Sequence, residues 1–451
     1  MSKEEVISVE LPNLPTGLDF EDFIAAHFQS VGFFVEKNIS VENILQLDIS
    51  ITDYQLLPHI KLIEIKSGNW EFNEVFKLKG WMVYSNISKG MFIVKKGRER
   101  FDYYRNFAQE LGVQLLAVPE LDKTNEYLEK PLKGLNANSN DIESFRYSYW
   151  MEREFLRILN VWKKTNKSVC RFKALEDYYF KINCETYFTS NLLDKTKLLY
   201  EAYNKYFHIT AKCANEIKGS DFNLDYDLIP HDIFRKTFYL CEYNLLQIST
   251  YLEYQSRIRL LKCAVDYLLF KEVKDKRADD MEEFLGFKLS KFNFLPKSYI
   301  DALSIIKSHS FFKLYPSFWQ WFILAFGGFI LLDIKEKEYE LLSSKTGIPV
   351  SEIDNALSAF DILFPTQDGW FQTNKLSNIK ELKVSSMPFR GIGANYRRLV
   401  YCKRPDGSEG EFDELPINKE YGIMDLKKWN NLAVEVLVNA SKYSAVRMPL
   451  K

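Results

Sequence analysis

Asp48, followed after fifteen residues by Glu64-Ile65-Lys66, carries the side chains best suited to do chemistry in this chain. Both pieces sit in short alternating stretches. In Leu45–Ile51, Leu45, Leu47, Ile49 and Ile51 share one face, and Gln46, Asp48 and Ser50 share the other. In Ile60–Lys66, Glu64 and Lys66 lie opposite Ile63 and Ile65. A period of two marks a β-strand. The connector Thr52–His59 is short enough for a hairpin-type link. Paired strands would bring two carboxylates and one ammonium onto one face, the equipment of a divalent-metal phosphodiesterase. Mg²⁺ (or Mn²⁺) takes oxygen ligands, here Asp48, Glu64 and the carbonyl of Ile65. Such an ion polarises a scissile phosphate and acidifies a bound water. Lys66 is then placed to orient or deprotonate that water, or to stabilise charge on the phosphorane. A neighbouring metal would lower its pKa, which suits the first role; the spacing leaves both open. The plain alternative is an amphipathic hairpin with a solvated charged face.

The elements around the motif read as an α/β unit. Leu18–Val31 has a helical recurrence at Ile24, Phe28 and Val31, with Gly32 placed to end it. Glu21 lies one position from that apolar stripe, in register with Ala25 and Phe28. A carboxylate on a core-facing edge needs a partner, and a metal or its water shell would supply one. After the motif strands come a helix over Glu71–Ser85, a strand over Gly90–Val94, a helix over Phe101–Leu111 and a strand over Val113–Val118. That order implies a mixed sheet flanked by helices.

At these residues the chain resembles the PD-(D/E)XK nuclease superfamily, the restriction-endonuclease-like and junction-resolvase-like enzymes. The matching text is Gly17–Glu21, Leu47-Asp48-Ile49 and Ile63–Gly68, within residues 1 to about 120. The resemblance implies Asp48 and Glu64 as metal ligands, Lys66 as the catalytic lysine and Glu21 as the first-helix acid. Lys77 or Lys79, on the helix after the motif, would contact phosphate. Leu47 replaces the proline of the superfamily's name, a substitution common there.

The expected architecture is an α/β N-terminal nuclease domain followed by a mostly α-helical region containing a winged-helix-like unit. Its boundaries fall at 1–121 for the nuclease domain, 122–145 for a polar linker, 146–317 for a helical domain, 318–380 for the winged-helix-like unit and 381–451 for a mixed C-terminal region. Within 318–380 the sequence suggests an apolar helix over 318–332, a second over Glu336–Lys345, and a third capped by Ser351 with Asp354 three positions on. Asp368-Gly369 would turn a wing. Glu352 and Asp354 stand where base-reading residues should be, so this unit reads as structural or protein-binding.

Residues 1–125 hold 18 acidic and 13 basic side chains, a poor polyanion surface taken as a whole. Two later stretches do better. Phe155–Leu175 carries six basic residues and no acid, and so does Leu382–Pro405. The second interleaves Arg390, Arg397, Arg398, Lys403 and Arg404 with Phe389, Tyr396 and Tyr401, pairing phosphate-neutralising groups with stacking rings. Arg390, Tyr396, Arg397, Arg398, Lys403 and Arg404 are therefore the expected nucleic-acid contacts, together with Lys77 and Lys79.

The 451 residues suit two to four domains, and a 46% apolar content supplies packed cores. A net charge of −1 excludes a global polyelectrolyte attraction. The six cysteines lack metal-binding spacing, and the charged N-terminus lacks a signal-peptide core; both suggest a reducing cytoplasm. The longest greasy run, Phe318–Leu332, falls short of the ~18–20 residues of a membrane span. No nucleotide-binding P-loop and no serine or cysteine nucleophile signature is present. The expected protein is a metal-dependent nuclease, DNA favoured over RNA, of a kind that serves bacterial defence. A partner protein would dock on the helical or winged-helix region, and enzymes cutting both strands are frequently homodimers. The alternative is a non-catalytic nucleic-acid-binding or assembly subunit that keeps the fold.

Overall fold

In a computed structural model the described residues are 11–41, 45–55, 59–128, 137–150, 153, 193–194, 197, 250–279, 282, 303–325, 330–331, 334–363, 367–373, 381–387 and 402–403. The chain opens with helix α1 (Leu18–Ser30), entered through Gly17 at φ 53° and left through Gly32 at φ 93°. Both turns use backbone that only glycine adopts without strain. Strands β1 (Phe34–Val41), β2 (Leu45–Asp53) and β3 (His59–Lys66) follow as an antiparallel meander. Helix α2 (Asn73–Tyr84) leads to β4 (Lys89–Val94), and α3 (Phe101–Glu110) leads to β5 (Val113–Ala117). β4 is parallel to β3, and β5 to β4, giving a five-stranded mixed sheet in the order β1-β2-β3-β4-β5. The expected mixed sheet flanked by helices is present. β1 is an addition, because the sequence signals singled out only the two motif strands.

The later helices lean on this sheet. The helix Tyr315–Leu324 is seated against α1 and β1. Gln320 uses its side-chain amide as a one-residue strand partner for the edge of β1. The Val35 N–H donates to Oε1 at 3.0 Å, and Nε2 donates to the Val35 carbonyl at 2.8 Å. An open strand edge invites pairing with other chains, and this amide closes it locally. Trp321 Nε1–H donates to the Gln29 carbonyl at 3.0 Å, which also accepts the Gly32 N–H in the turn that ends α1. Phe145 meets the Trp321 ring edge-on at 4.8 Å between centroids.

Several sequence expectations change here. Residues 139–150 are helical, so the expected linker gives way to a packed helix before 145. The apolar helix stops at Leu324, ahead of Gly327-Gly328, and Ile330–Leu331 is a strand, not the continuation expected to 332. The helix Lys335–Thr346 ends at Gly347, φ 75°, as its sequence suggests. Ser351 does not cap a third helix. It lies inside a 3-10 turn (Val350–Glu352) ahead of the helix Ile353–Leu363. Asp368-Gly369 forms no turn. It lies within the strand Gln367–Thr373, where pairing with Glu381–Met387 is irregular between Gln367 and Gly369. A glycine absorbs such a bulge easily. Among the described residues, no helix is long and apolar enough to cross a membrane.

Candidate active site

The site lies where β2 and β3 part. The ladder between them runs up to Ile49 opposite Ile63. One further step in that register sets Asp48 opposite Glu64, but the backbones no longer pair there. Asp48 fills the gap: its Oδ2 accepts the Ile65 N–H at 2.8 Å. Opposite it, on β1, Asn38 sits at φ 51° and interrupts the β1–β2 ladder between Lys37 and Ile39. A non-glycine residue in that region is uncommon, so the strand is locally distorted beside Asp48.

Glu64 is buried, with 1% of its surface exposed. One oxygen is held by Lys66 Nζ at 2.5 Å, with Lys77 Nζ 3.7 Å away. The other oxygen, Oε2, is buried and has no hydrogen-bond partner. Lys77 comes from α2, where it also pairs with Glu74 at 3.6 Å and lies 4.4 Å over the Trp81 ring. The Ser67 hydroxyl accepts the Gly17 N–H at 2.7 Å, pinning the start of α1 to the end of β3. This link brings Glu21 to the cluster. Asp19 and Asp22, its neighbours on α1, are taken up by Arg153 at 2.7 and 2.8 Å, and Asp22 also by Lys37. Among the described residues Glu21 makes no such ion pair, and Lys37 and Lys66 act on it only at longer range.

The charge balance shows in the ionisation of these groups. Burial raises the Glu21 carboxyl to about 7, reinforced by Asp48 and opposed by Lys37 and Lys66. Burial also raises Asp48, against the Ile65 N–H and Lys66, which lower it. Glu64 is raised by burial and then by Asp48, with Lys66 opposing. Lys66 is pulled down by burial, but Glu64, Asp48 and Glu74 outweigh this and leave it above the ordinary lysine value. With protein groups alone around it, the shift is opposite to the metal-induced depression expected from the sequence.

Glu21, Asp48, Glu64, Lys66 and Lys77 are therefore brought together. Lys79 is not: its ammonium lies beside Gly112, at the head of β5. Ile65 supplies its N–H to Asp48. His27 is buried in α1. Lys403 lies on the short strand Cys402–Lys403, paired to Gln372. Arg390, Tyr396, Arg397, Arg398 and Arg404 lie outside the described residues, as does the basic stretch 155–175. Among the described residues no group of three or more His, Cys, Asp or Glu side chains is arranged to hold a metal ion. Mg²⁺ commonly takes only one or two carboxylates, its remaining positions being water and phosphate oxygen. Asp48 and Glu64, with the partnerless Glu64 Oε2, fit that donor set.

One signal escaped the sequence reading, a basic loop beside the site. The Lys95 N–H donates to the Lys66 carbonyl at 2.9 Å, so the loop Lys95–Arg100 begins next to the end of β3. No protein-family model, curated protein or solved structure matches the chain.

Proposed function

We propose that the chain is a metal-dependent nuclease that hydrolyses phosphodiester bonds, DNA before RNA, in the manner of defence nucleases. The observation that carries this reading is the buried Glu64, held by Lys66 through one oxygen and partnerless at the other, directly across from Asp48. Uncompensated buried carboxylates are unfavourable unless something binds them. The order helix, strands, helix, strand around them supports the PD-(D/E)XK resemblance. A divalent cation held by Asp48 and Glu64 would polarise the scissile phosphate and acidify a bound water. Asp48 is oriented for this by the Ile65 N–H. Lys66 is placed to donate to a phosphoryl oxygen as charge builds there, and Lys77 to contact an adjoining phosphate. Glu21, raised by burial to about 7 and so divided between its charged and neutral forms near physiological pH, is suited to hold or pass a proton at the cluster's edge.

The test is cleavage of plasmid, single-stranded DNA and RNA with Mg²⁺, Mn²⁺ or EDTA, alone and with partner proteins. Metal-dependent cutting is expected. Asp48→Ala, Glu64→Ala and Lys66→Ala should each lower it by at least about 10²-fold while the protein stays folded. Undiminished cleavage by folded Asp48→Ala protein overturns the reading.

A second reading, a non-catalytic binding or assembly subunit, is favoured by the direct Lys66–Glu64 pair, which partly balances the cluster without any cation. It predicts no metal-dependent cutting under any of those conditions. Residues 318–380 support a winged-helix reading. A short strand (Ile330–Leu331) follows the first helix, two further helices come next, and the sheet order places Glu381–Met387 between that strand and Gln367–Thr373. Tyr315 donates to Glu352 at 2.6 Å and Tyr339 to Asp354 at 2.6 Å, so the acids at the third helix serve internal bonds. A structural or protein-docking role suits this better than base reading.

A further inference from the structure

The surface between α2 and α3 is built unlike an ordinary solvated helix face. α3 fully buries only Ala108 and turns Tyr103 and Phe107 outward. Tyr103 is 59% exposed, Phe76 on α2 55% and Phe107 43%. They belong to a continuous run of rings. Phe76 meets Phe72 at 5.4 Å, Phe72 meets Tyr104 at 5.5 Å, and Tyr103 meets Phe107 at 5.6 Å between centroids. The Phe76 end of the run lies on α2, the helix that also sends Lys77 to Glu64.

The other end is cationic. Trp70 joins the run through Tyr104 at 6.0 Å and donates its Nε1–H to the Lys96 carbonyl at 3.1 Å, which fixes the Lys95–Arg100 loop. The Arg98 guanidinium lies 5.0 Å over the Trp70 ring. Lys96, Arg98 and Arg100 are exposed, and among the described residues none is paired with a carboxylate. The acids nearby are mostly committed: Asp102 to Arg105 at 2.9 Å and Glu74 to Lys77. Glu99, and Glu71 between Trp70 and Phe72, make no ion pair among the described residues, leaving three cations to two acids.

Exposed rings beside uncompensated cations are the chemistry of an unpaired polynucleotide. Bases stack on aromatic faces, and phosphates follow the cations. A duplex gains little from such rings, because its bases are already stacked on one another. A second copy docked by this same face would bring two sets of Lys96, Arg98 and Arg100 to one seam, where like charges repel. We infer that the α2–α3 face is a single-strand platform, with bases on Phe76, Tyr103 and Phe107, phosphates on Lys96, Arg98 and Arg100, and the strand directed to the Asp48–Glu64 site. This rests on the nuclease reading for its purpose, but not for its binding.

The test separates the two. Binding of fluorescein-labelled 20-mers is followed by anisotropy in EDTA, where cleavage is silent, using single-stranded DNA, single-stranded RNA of the same sequence, and duplex DNA at several salt concentrations. The native protein should prefer either single strand to duplex. Tyr103→Ala/Phe107→Ala should weaken single-strand binding about tenfold or more and change duplex binding less than about twofold. Lys96→Glu/Arg98→Glu should weaken all of them and flatten the salt dependence. Circular dichroism and thermal melting confirm folding; the exposed rings make unfolding by Tyr103→Ala/Phe107→Ala unexpected, and Phe76→Ala alone provides a second, smaller lesion. Unchanged single-strand affinity in the folded ring variants overturns the platform, as does a native preference for duplex. A shift from dimer to monomer by light scattering in those variants also overturns it. If binding behaves as expected and no metal supports cutting, the nuclease reading fails and the platform stands. If cutting occurs and the ring variants cut single strands normally, the platform fails alone.

Discussion

One face of the sheet carries two buried clusters of charge, and they are treated in opposite ways. Asp48 and Ser50 point to the same side of β2, and Ser50 pairs across to Glu36 on β1. Around Glu36 the face is roofed by the helix Thr250–Glu272. Lys262 from that helix lies 3.5 Å from Glu36 and is ion-paired to Asp266. Tyr54 donates to Asp266 at 2.6 Å, and Ser50 donates to Glu36 at 3.3 Å. Burial opposes the charge on Lys262, but Asp266 and Glu36 outweigh it and hold its pKa above the ordinary lysine value. Two residues along β2, the helix cation is Lys77 of α2, 3.7 Å from Glu64. Asp48, Glu64 and Glu21 share Lys66 and the more distant Lys77, and one Glu64 oxygen is left over. Both clusters hold one more carboxylate than ammonium, two to one and three to two, but only the second leaves a buried carboxylate oxygen, Glu64 Oε2, without a hydrogen-bond partner. That contrast separates charges used to join elements from charges kept for a ligand.

Breaking the closed cluster should have the largest effect. Lys262→Met leaves Glu36 and Asp266 buried without their cation, and removing one partner of such a pair typically destabilises by about 3–5 kcal/mol. Urea unfolding should show that loss. Lys262→Met/Asp266→Asn should recover part of it, because the neutral amide can still accept from Tyr54. A loss under about 1 kcal/mol for Lys262→Met would mean the roof is not closed by charge.

The two clusters were also unequally legible. Leu45–Ile51 and Ile60–Lys66 alternate cleanly, so both motif strands and the meeting of Asp48 with Glu64 could be read directly. β1 could not. Glu36 and Lys37 are adjacent and both buried, which defeats an apolar–polar alternation. Their partners are remote: Lys262 lies far along the chain for Glu36, and Asp22 on α1 for Lys37. Only a tertiary fold can make two neighbouring charges look like core. Lys77 and Lys79 looked equivalent by position, but residues two apart on a helix face different ways, and only Lys77 reaches Glu64. The Lys95–Arg100 loop was hidden by averaging charge over residues 1–125, although a phosphate responds to a local cluster. Ser351 looked like a cap because the 3-10 turn before Ile353 leaves no mark in residue type.

Filling the open cluster should stabilise it. For a Kd on the order of 1 mM, 10 mM Mg²⁺ adds about 1.4 kcal/mol at pH 8, seen as a rise in melting temperature over EDTA. Asp48→Asn/Glu64→Gln should abolish that rise, whereas Lys262→Met, for all its lower stability, should keep it. An equal Mg²⁺ response in the double carboxylate variant would place the cation elsewhere and dissolve the distinction between the clusters.

The smallest effect is also the one that reads the open cluster most directly. Glu21 is raised by burial and by Asp48 from the ordinary 4.5 to about 7, with Lys37 and Lys66 opposing and Asp22 adding to the rise. Below pH 4.5 the carboxyl is neutral in both folded and unfolded chains, so it contributes no pH dependence. Between there and pH 7 the folded protein keeps a proton that the unfolded chain releases, so stability in EDTA should fall as pH rises. Above pH 7 the loss is complete. Glu21 is partly exposed and solvent screens it, so its share is about 1 kcal/mol, less than the full shift would give. Asp48 and Glu64, also raised, act in the same direction. Glu21→Gln should therefore reduce the decline between pH 4.5 and 7 without removing it, and Mg²⁺ should reduce it in the native protein by favouring the charged carboxylates. A pH profile identical in native and Glu21→Gln protein would mean that α1 does not bring its acid to the site, and that the open cluster holds two carboxylates rather than three.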